Sequence, residues 1–345
     1  MDSAEENEML KILFQYQHGF IISKIMFTAC ELGVFDLLLE SGDTLSSAAI
    51  AERLGTCHLG MERLLEACVG LKLLRMERKD NEGLYGNTDL SNLCLAKSSP
   101  KSQYCYMKLQ SEQLYPNLQY LADAVREGNA QIQSMYVTPS KDIFEAMYSS
   151  EEGVQSFSNA MDTAWSIYGQ EMMSAFDLSC FPAVCDLGGG SGALAKEYIS
   201  LYPNATVTIF DLPKVVKRAK KQFVTSEECQ ISFQEGDFLK DSIPEADLYI
   251  LARIFHDWDD DTCMQLLTKV HKACKPGGGL LLVELTLDED RSGPLEAHIR
   301  SIMMLLFNNG RERTFSEYNA LLSAGGFKEI QFKKKSFYSA ILGRK

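Results

Sequence analysis

The sequence predicts an α/β fold: a mostly parallel sheet closed by an antiparallel C-terminal hairpin, preceded by a helical segment with a winged-helix-like hairpin. Three observations carry this. From Phe181 onward, short apolar runs alternate with amphipathic helical patterns, as in βαβ units. The first of those runs leads into Asp186-Leu187-Gly188-Gly189-Gly190-Ser191-Gly192, a strand end, a glycine turn and a helix start. The last two strand-like runs, Phe327–Lys334 and Phe337–Leu342, have too short a link for a crossover and must pair antiparallel.

A chain of 345 residues accommodates two domains or one large one. Its 46% hydrophobic and 23% charged content is that of an ordinary globular protein. The formal net charge of −13 argues against nucleic acid as a partner, because a phosphate backbone calls for a basic face. The 10 cysteines form no C-x-x-C pair, and Cys180, Cys185, Cys263 and Cys274 lie in apolar or amphipathic runs, so buried reduced thiols are expected. Met1–Glu8 is acidic, no signal-peptide core follows it, and no apolar run reaches the length of a membrane span. The expectation is a cytoplasmic protein with no membrane partner.

In chain order, Leu10, Leu13, Phe14, Ile21, Ile22, Ile25 and Met26 recur at three- and four-residue steps, predicting one helix over about 9–39. Its second half, Phe27–Leu39, is apolar over so much of its surface that it must be buried in a core or against a partner chain. Thr44–Leu54 reads as a second helix with Ser46 or Ser47 as N-cap, and Gly60–Leu74 as a third. Two strand-like runs, Leu73–Arg78 and Leu84–Asn87, follow around a turn at Asp80–Gly83. Three helices and a hairpin make a winged helix. That fold often binds DNA, but the few basic residues between Leu45 and Arg75 mostly sit near acids. Dimerisation through the N-terminal helices fits the apolar first helix better.

These elements set a first domain at 1–100. Residues 101–178 read as a helical linker region lining a cleft. There Tyr104, Tyr106, Tyr115, Tyr120 and Tyr136 are core or cleft side chains, with core favoured. Thr138–Lys141 is a loop before a helix near Asp142. The third region, 179–345, carries strands at Ala183–Leu187, Thr206–Asp211, Ile231–Glu235, Ala246–Ala252 and Gly279–Leu285. Its helices fall at Ala193–Leu201, Pro213–Phe223 and Asp259–Cys274.

The glycine turn alone is ambiguous, since Gly188-x-Gly190 followed by Ala193 also satisfies a dinucleotide pattern. Three features separate the readings. Asp186 stands two residues before the first glycine, where an acid can meet a cationic amino-acid end. Asp211 ends the second strand, 19 residues after Gly192, placed to accept from both ribose hydroxyls. Gly236-Asp237-Phe238 follows the third strand and offers an acid and an aromatic ring to an adenine. With no Arg or Lys in the glycine loop to hold phosphate, the ligand reads as an adenosine carrying an amino-acid tail. S-adenosylmethionine fits.

The fourth strand leads into Arg253-Ile254-Phe255-His256-Asp257-Trp258. A histidine at the carboxyl end of a sheet strand lies in the crevice where α/β enzymes do chemistry, and its intrinsic pKa suits a general base. His18, His58, His271 and His298 have no such placement. Glu284, on the fifth strand among apolar neighbours, needs a partner. An imidazole N–H would serve, with backbone N–H groups as the alternative. Glu312 is a second candidate for that role, or else a salt-bridged surface residue. No His/Asp cluster suggests a metal.

In combination, several segments resemble the class I S-adenosylmethionine-dependent O-methyltransferases over nearly the whole chain. They are Phe27–Leu38, the Asp186–Gly192 loop, Phe210–Pro213, Glu235–Phe238, His256–Trp258 and Lys275–Gly279. The nearest resemblance is to the branch that methylates hydroxyindoles. It implies an N-terminal winged-helix dimerisation domain, a C-terminal seven-stranded Rossmann-like domain, and a homodimer in which both partners contribute to each active site. It implies that Tyr148, Trp165, Gly188, Asp211, Gly236, Asp237, Phe238 and Arg253 contact S-adenosylmethionine. It also implies that His256 deprotonates the acceptor hydroxyl, that Glu284 and Glu312 flank and orient it, and that Asp257 touches the acceptor. The acceptor implied is N-acetylserotonin, as in melatonin synthesis, or a related hydroxyindole, and no metal is implied.

One segment departs from that branch, which carries Asn at the position of Met303 and Gln at that of Phe307. Those two amides lie four apart, on one helical face, and touch the acceptor. Met303 and Phe307 remove donors and acceptors and add bulk, and a site built without hydrogen bonds to its substrate discriminates weakly. Two alternatives therefore stand beside the first reading. One is a paralogue methylating another small phenol in an apolar pocket. The other is an inactive S-adenosylmethionine-binding protein acting as a dimeric interaction partner.

Overall fold

The computed structural model of the chain describes residues 3–136, 140, 142–222 and 230–345. They form two compact units, 1–116 and 117–345, so the boundary falls inside the expected linker region.

In the first unit, α1 (Ser3–Leu32) and α2 (Val34–Ser41) replace the single helix expected at about 9–39. Gly33, at a left-handed φ of 80°, ends one helix and starts the next. β1 (Leu45–Ser46) leads into α3 (Ser47–Leu54), whose N-cap is Ser46, its hydroxyl accepting from Ala49 N. After α4 (His58–Gly70) come β2 (Leu74–Lys79) and β3 (Glu82–Asn87). Asp80 and Asn81, at φ of 50° and 68°, make the two-residue loop between them, so Glu82 and Gly83 belong to the strand rather than to the expected turn. β1 pairs antiparallel with β3, giving the order β1-β3-β2 of a winged helix. Val34, Phe35, Ile50, Met61, Leu65 and Tyr85 form its core. On α1, by contrast, Met9, Leu13, Phe14, Tyr16, Phe20 and Ile21 are exposed.

Tyr104, Tyr106, Tyr115, Tyr120 and Tyr136 are half-buried, not core residues. Of the loop expected at Thr138–Lys141, only Ser140 lies within the described residues. Asp142 caps the short helix Ile143–Met147, accepting from Phe144 N and Glu145 N. α5 (Glu151–Met173) follows.

The second unit is built on a seven-stranded sheet. Its strands are β4 (Ala183–Leu187), β5 (Thr206–Asp211), β6 (Ile231–Glu235), β7 (Ala246–Ala252) and β8 (Cys274–Glu284), then, beyond the short β9 (Thr286–Leu287) and β10 (Arg313–Thr314), β11 (Lys328–Lys334) and β12 (Ser339–Arg344). The order is β11-β12-β8-β7-β4-β5-β6. β8 through β6 run parallel, while β12 lies antiparallel to both β8 and β11. The crossovers include α6 (Ala193–Leu201), α7 (Pro213–Gln222) and α8 (Asp260–Ala273). The expected end of α7 at Phe223 lies outside the described residues. α9 (Leu295–Phe307) and α10 (Phe315–Ala324) complete the unit.

Alternate strand residues feed two cores, as the pleat requires. Val184, Leu248, Ile250 and Leu281 pack with Met172 of α5 and Tyr198 of α6. Cys185, Tyr249, Leu251 and Leu282 pack with Leu267 of α8 and Tyr318 of α10. Both faces are thus covered, as a parallel sheet needs. The strand order reverses between β4 and β7, which opens the ligand crevice at their carboxyl ends. The nine described cysteines are free thiols. Cys185, Cys263 and Cys274 are buried as expected, whereas Cys180 is exposed. Among the described residues, no helix is long and apolar enough to cross a membrane.

Candidate functional site

Strand register assembles the predicted residues along one edge. Leu187 pairs with Phe210, Asp211 with Glu235, and Ala252 with Val283. Gly188 N then donates to Phe210 O, Gly236 N to Asp211 O, and Arg253 N to Val283 O, so Gly188, Gly236 and Arg253 emerge side by side. Two glycines are required by close approach. A Cβ on Gly236 would lie 2.3 Å from Phe210 Cζ. One on Gly188, already at φ +73°, would lie 2.5 Å from Ile254 Cδ1 and 3.5 Å from Phe238.

Asp211, expected at a ribose, also holds the glycine turn: its Oδ2 accepts from Gly190 N at 2.8 Å and its Oδ1 from Leu212 N at 2.7 Å. Burial outweighs those donors and holds its carboxyl up to about 6. Asp186 is buried with Oδ2 unpartnered among the described residues; burial, then the Asp211 charge, holds it up to about 7. Asp237 braces its own turn, accepting from Leu239 N and pairing with Lys240 at 2.8 Å. Tyr148 is buried, its carbonyl accepting from Lys214 Nζ, and burial drives its hydroxyl well above the usual phenol range. Trp165 packs on Tyr338, with centroids 5.5 Å apart. Together with Asp162, Ser191 and Lys196 it lines a cavity of about 380 Å³ beside the glycine turn. Arg253, at φ 58°, brings Nη1 within 3.4 Å of Met161 Sδ.

Beyond β7, a single 3₁₀ turn, Phe255–Asp257, presents His256, which is 3% exposed. Its Nδ1 lies 2.8 Å from Glu312 Oε1, and its Nε2 3.6 Å from Asp257 Oδ1. The expectation for Glu284 is corrected. Its Oε1 accepts from Ile254 N at 3.0 Å and Phe255 N at 2.8 Å, so it fixes the turn and leaves the ring to Glu312. Backbone donors were closer because β8 runs directly beside the end of β7. Nor is Glu312 a surface residue: it is 1% exposed, its N–H donating to Ser301 Oγ. Donor atoms of His256, Glu284 and Glu312 gather within 4.8 Å of one another. Hydrogen bonding to the ring and to the backbone accounts for that cluster. Burial pulls the His256 ring down, but Glu312, Asp257 and Glu284 prevail and hold it up to about 9. Burial in turn raises Glu284 to about 7 and Asp257 above the usual carboxylate range.

Met303 and Phe307, the residues expected at the acceptor, lie on α9. Met303 is buried. Phe307 packs against an apolar cluster of Ile132, Ile143, Phe144, Tyr136 and Met147. Phe144 in turn lies 6.2 Å, between ring centroids, from Trp258.

The sequence reading missed the residues that brace the His256 turn. Arg313, fully buried, bonds Asp260 Oδ1, Phe255 O and Trp258 O, each at 2.8 Å. Gly310 leaves no room for a side chain, since a Cβ there would lie 2.0 Å from His256 O. Asn308 Nδ2 donates to Asp257 Oδ1 at 2.5 Å. The signal available was the alternation Gly310-Arg311-Glu312-Arg313 before a helix, which periodicity alone cannot distinguish from a charged loop.

Comparison with known proteins extends the likeness to the whole chain. An O-methyltransferase domain model matches residues 118–328, and an O-methyltransferase dimerisation domain model matches residues 14–97. Acetylserotonin O-methyltransferase of Gallus gallus is 57% identical over 346 residues, covering 100% of both chains. The Homo sapiens protein of that name is 48% identical, covering 99% of each. The crystal structure of human N-acetylserotonin methyltransferase in complex with SAM superimposes with a TM-score of 0.94, covering 100% of this chain and 98% of that one.

Proposed function

The chain belongs to the O-methyltransferase family, and from that premise we propose that it transfers the methyl group of S-adenosylmethionine to the hydroxyl of N-acetylserotonin or a closely related hydroxyindole. The observation that carries this reading is the buried His256–Glu312 pair, 2.8 Å apart, on the turn that follows the glycine-loop edge of the sheet.

The residues present fit the cofactor. Asp186 offers a buried, unpartnered carboxylate oxygen next to the glycine turn, suited to a cationic ammonium group. Gly188 and Gly236 let the strand ends close against Ile254 and Phe210 at the edge where an adenosine would lie. Tyr148, Trp165, Gly188, Asp211, Gly236, Asp237, Phe238 and Arg253 would hold it. When bound, it supplies an electrophilic methyl on a sulfonium. The chain's own residues do the rest. With the Nδ1 proton donated to Glu312, His256 Nε2 is left to take the acceptor's hydroxyl proton. Glu284 fixes the turn that carries the ring. Asp257, held by Asn308, borders the space in front of Nε2. Met303, Phe307 and the surrounding aromatics exclude water and orient an apolar ring system.

One observation favours a second acceptor. Phe307 is seated in an apolar cluster and offers no hydrogen bond, which suits a less polar small phenol. An inactive interaction protein is disfavoured, because the ring and its carboxylate are paired as a base requires. For the assembly, the exposed apolar residues of α1 and the dimerisation-domain match support a homodimer.

The test incubates purified protein with methyl-labelled cofactor and a panel of hydroxyindoles and phenols. Transfer to N-acetylserotonin, abolished in His256→Ala, is the expected result. Transfer only to other phenols, restored toward N-acetylserotonin in Met303→Asn/Phe307→Gln, selects the second reading. Cofactor binding without transfer to any acceptor overturns both.

A further inference from the structure

We propose that the cavity between α5 and the start of α6 seats the amino-acid tail of the cofactor, with the Asp162 carboxylate meeting its α-ammonium and Lys196 its carboxylate. The inference rests on S-adenosylmethionine being the methyl donor.

The sheet edge sets the direction in which the cofactor lies. Asp237 and Phe238 follow β6, Asp211 ends β5, and Asp186 stands near the end of β4. These strands are neighbours in the order β4-β5-β6. An adenosine laid over β6 and β5 therefore carries its tail toward β4 and the glycine turn. Beside that turn lies the cavity of about 380 Å³, with Asp162 and Trp165 of α5 on one side and Ser191, Ala193 and Lys196 on the other. Asp162 and Trp165, three residues apart, share one face of α5. Gly169 lies about one turn further on and lets the two helices close, since a Cβ there would lie 2.8 Å from Glu197 Cγ.

Ser191 is the one residue of Gly188–Gly192 that carries a side chain, and its hydroxyl donates to Asp162 Oδ1. Among the described residues this is the hydrogen bond that the Asp162 carboxylate accepts, although a carboxylate has room for several. The cations that act on it are Arg218 and Lys196. Arg218 is committed elsewhere, its Nη2 donating to Asn159 Oδ1 at 2.9 Å. Burial prevails over Ser191 and both cations and holds the Asp162 carboxyl above its usual range. An ammonium entering the cavity would supply the charge-assisted donors that this acid is short of. Asp186 does not exhaust such a group. It offers one unpartnered oxygen, and an ammonium has three N–H donors. Lys196 stands one turn into α6, where its charge and the positive helix end both favour the tail's carboxylate.

The test is calorimetric and uses the full chain with three ligands. S-adenosylhomocysteine carries the whole tail, its deaminated analogue lacks only the ammonium, and 5′-methylthioadenosine lacks the amino acid altogether. Asp162→Asn keeps the shape and the acceptor for Ser191. It should weaken S-adenosylhomocysteine by about tenfold or more while leaving the other two ligands within about twofold. Lys196→Gln should weaken S-adenosylhomocysteine and the deaminated analogue by about threefold or more and leave 5′-methylthioadenosine unmoved. An equal loss for all three ligands in Asp162→Asn would make Asp162 a strut of the glycine turn and overturn the proposal, as would no loss for any. A Lys196→Gln variant that weakens 5′-methylthioadenosine as much as the others, or weakens none, removes the cavity as the seat of the tail. A wild-type protein that binds none of the three overturns the cofactor reading itself.

Discussion

The carboxylates around His256 set a pH dependence that an ordinary imidazole base would not show. Burial lowers the ring and Glu312, Asp257 and Glu284 raise it, for a net position of about 9 against an ordinary 6.5. That difference is roughly 3 kcal/mol in favour of the charged ring. To accept a phenolic proton the ring must be neutral, which it is in about 1% of molecules at pH 7 and about half at pH 9. With saturating cofactor, kcat/KM should therefore rise roughly 50-fold between pH 7 and 9, whereas a ring at 6.5 would gain about 1.3-fold. Glu312→Gln keeps the shape and deletes the strongest attraction, so the acidic limb should move down by about one unit or more. Stability carries the same signature with opposite sense. Because the folded-state pKa lies above the unfolded one, the ring's contribution is fully present below about 6.5 and lost as pH rises through about 9. Between those values the wild type should lose melting temperature faster than Glu312→Gln. A wild-type profile flat from pH 7 to 9, or a limb that Glu312→Gln leaves in place, refutes the reasoning.

Three further outcomes follow from the bracing of the two halves. In Gly310→Ala the new Cβ meets His256 O at 2.0 Å, so kcat should fall by about tenfold or more while calorimetric cofactor affinity holds. Arg313→Leu removes the charged donor from the carbonyls of Phe255 and Trp258, leaving them only Trp258 N and the weak Cys263 thiol, and should cost about 2–4 kcal/mol in urea denaturation. Asp186→Asn has two opposed effects. The buried carboxyl, at about 7 when folded against 3.8, loses its stabilising contribution as pH rises through 7, so the ligand-free variant should melt above the wild type at pH 8 and approach it near pH 4. Its S-adenosylmethionine affinity should nonetheless fall by about tenfold or more, read by calorimetry, since the charge that meets the ammonium is gone.

The cofactor half was legible because its signals are local. β4, β5, β6, β7 and α6 begin and end where glycines, acids and apolar alternation change. Gly188, Asp211, Gly236 and Arg253 follow directly from strand ends, whereas Tyr148 and Trp165 sit at a helix end and within α5. The break at Gly33 was not legible, since the apolar periodicity runs through it and only the backbone angle interrupts the helix. The roles of Glu284 and Glu312 were not separable either. Both are acids that could reach one imidazole, and the choice depends on which backbone N–H groups tertiary structure delivers to β8. Arg313 read as part of a charged loop because burial of a guanidinium is decided by three acceptors drawn from a turn more than fifty residues earlier in the sequence.

On the proposed function, the two halves of the site are coupled to different parts of α9 and its following loop, so that the acceptor face could vary while the base is kept. Ser301 accepts from Glu312 N, Asn308 donates to Asp257, and Gly310 lies against His256 O. These contacts belong to the face and the loop that hold the 3₁₀ turn. Met303 takes no part in those contacts, and Phe307 looks instead toward Ile132, Ile143 and Phe144. Exchanging the two side chains changes volume and hydrogen-bonding capacity in the acceptor space without touching any bond that fixes His256, Glu284 or Glu312. Methyl transfer needs little from the acceptor wall except alignment and dryness, so apolar side chains there cost the chemistry little and chiefly relax its choice of phenol.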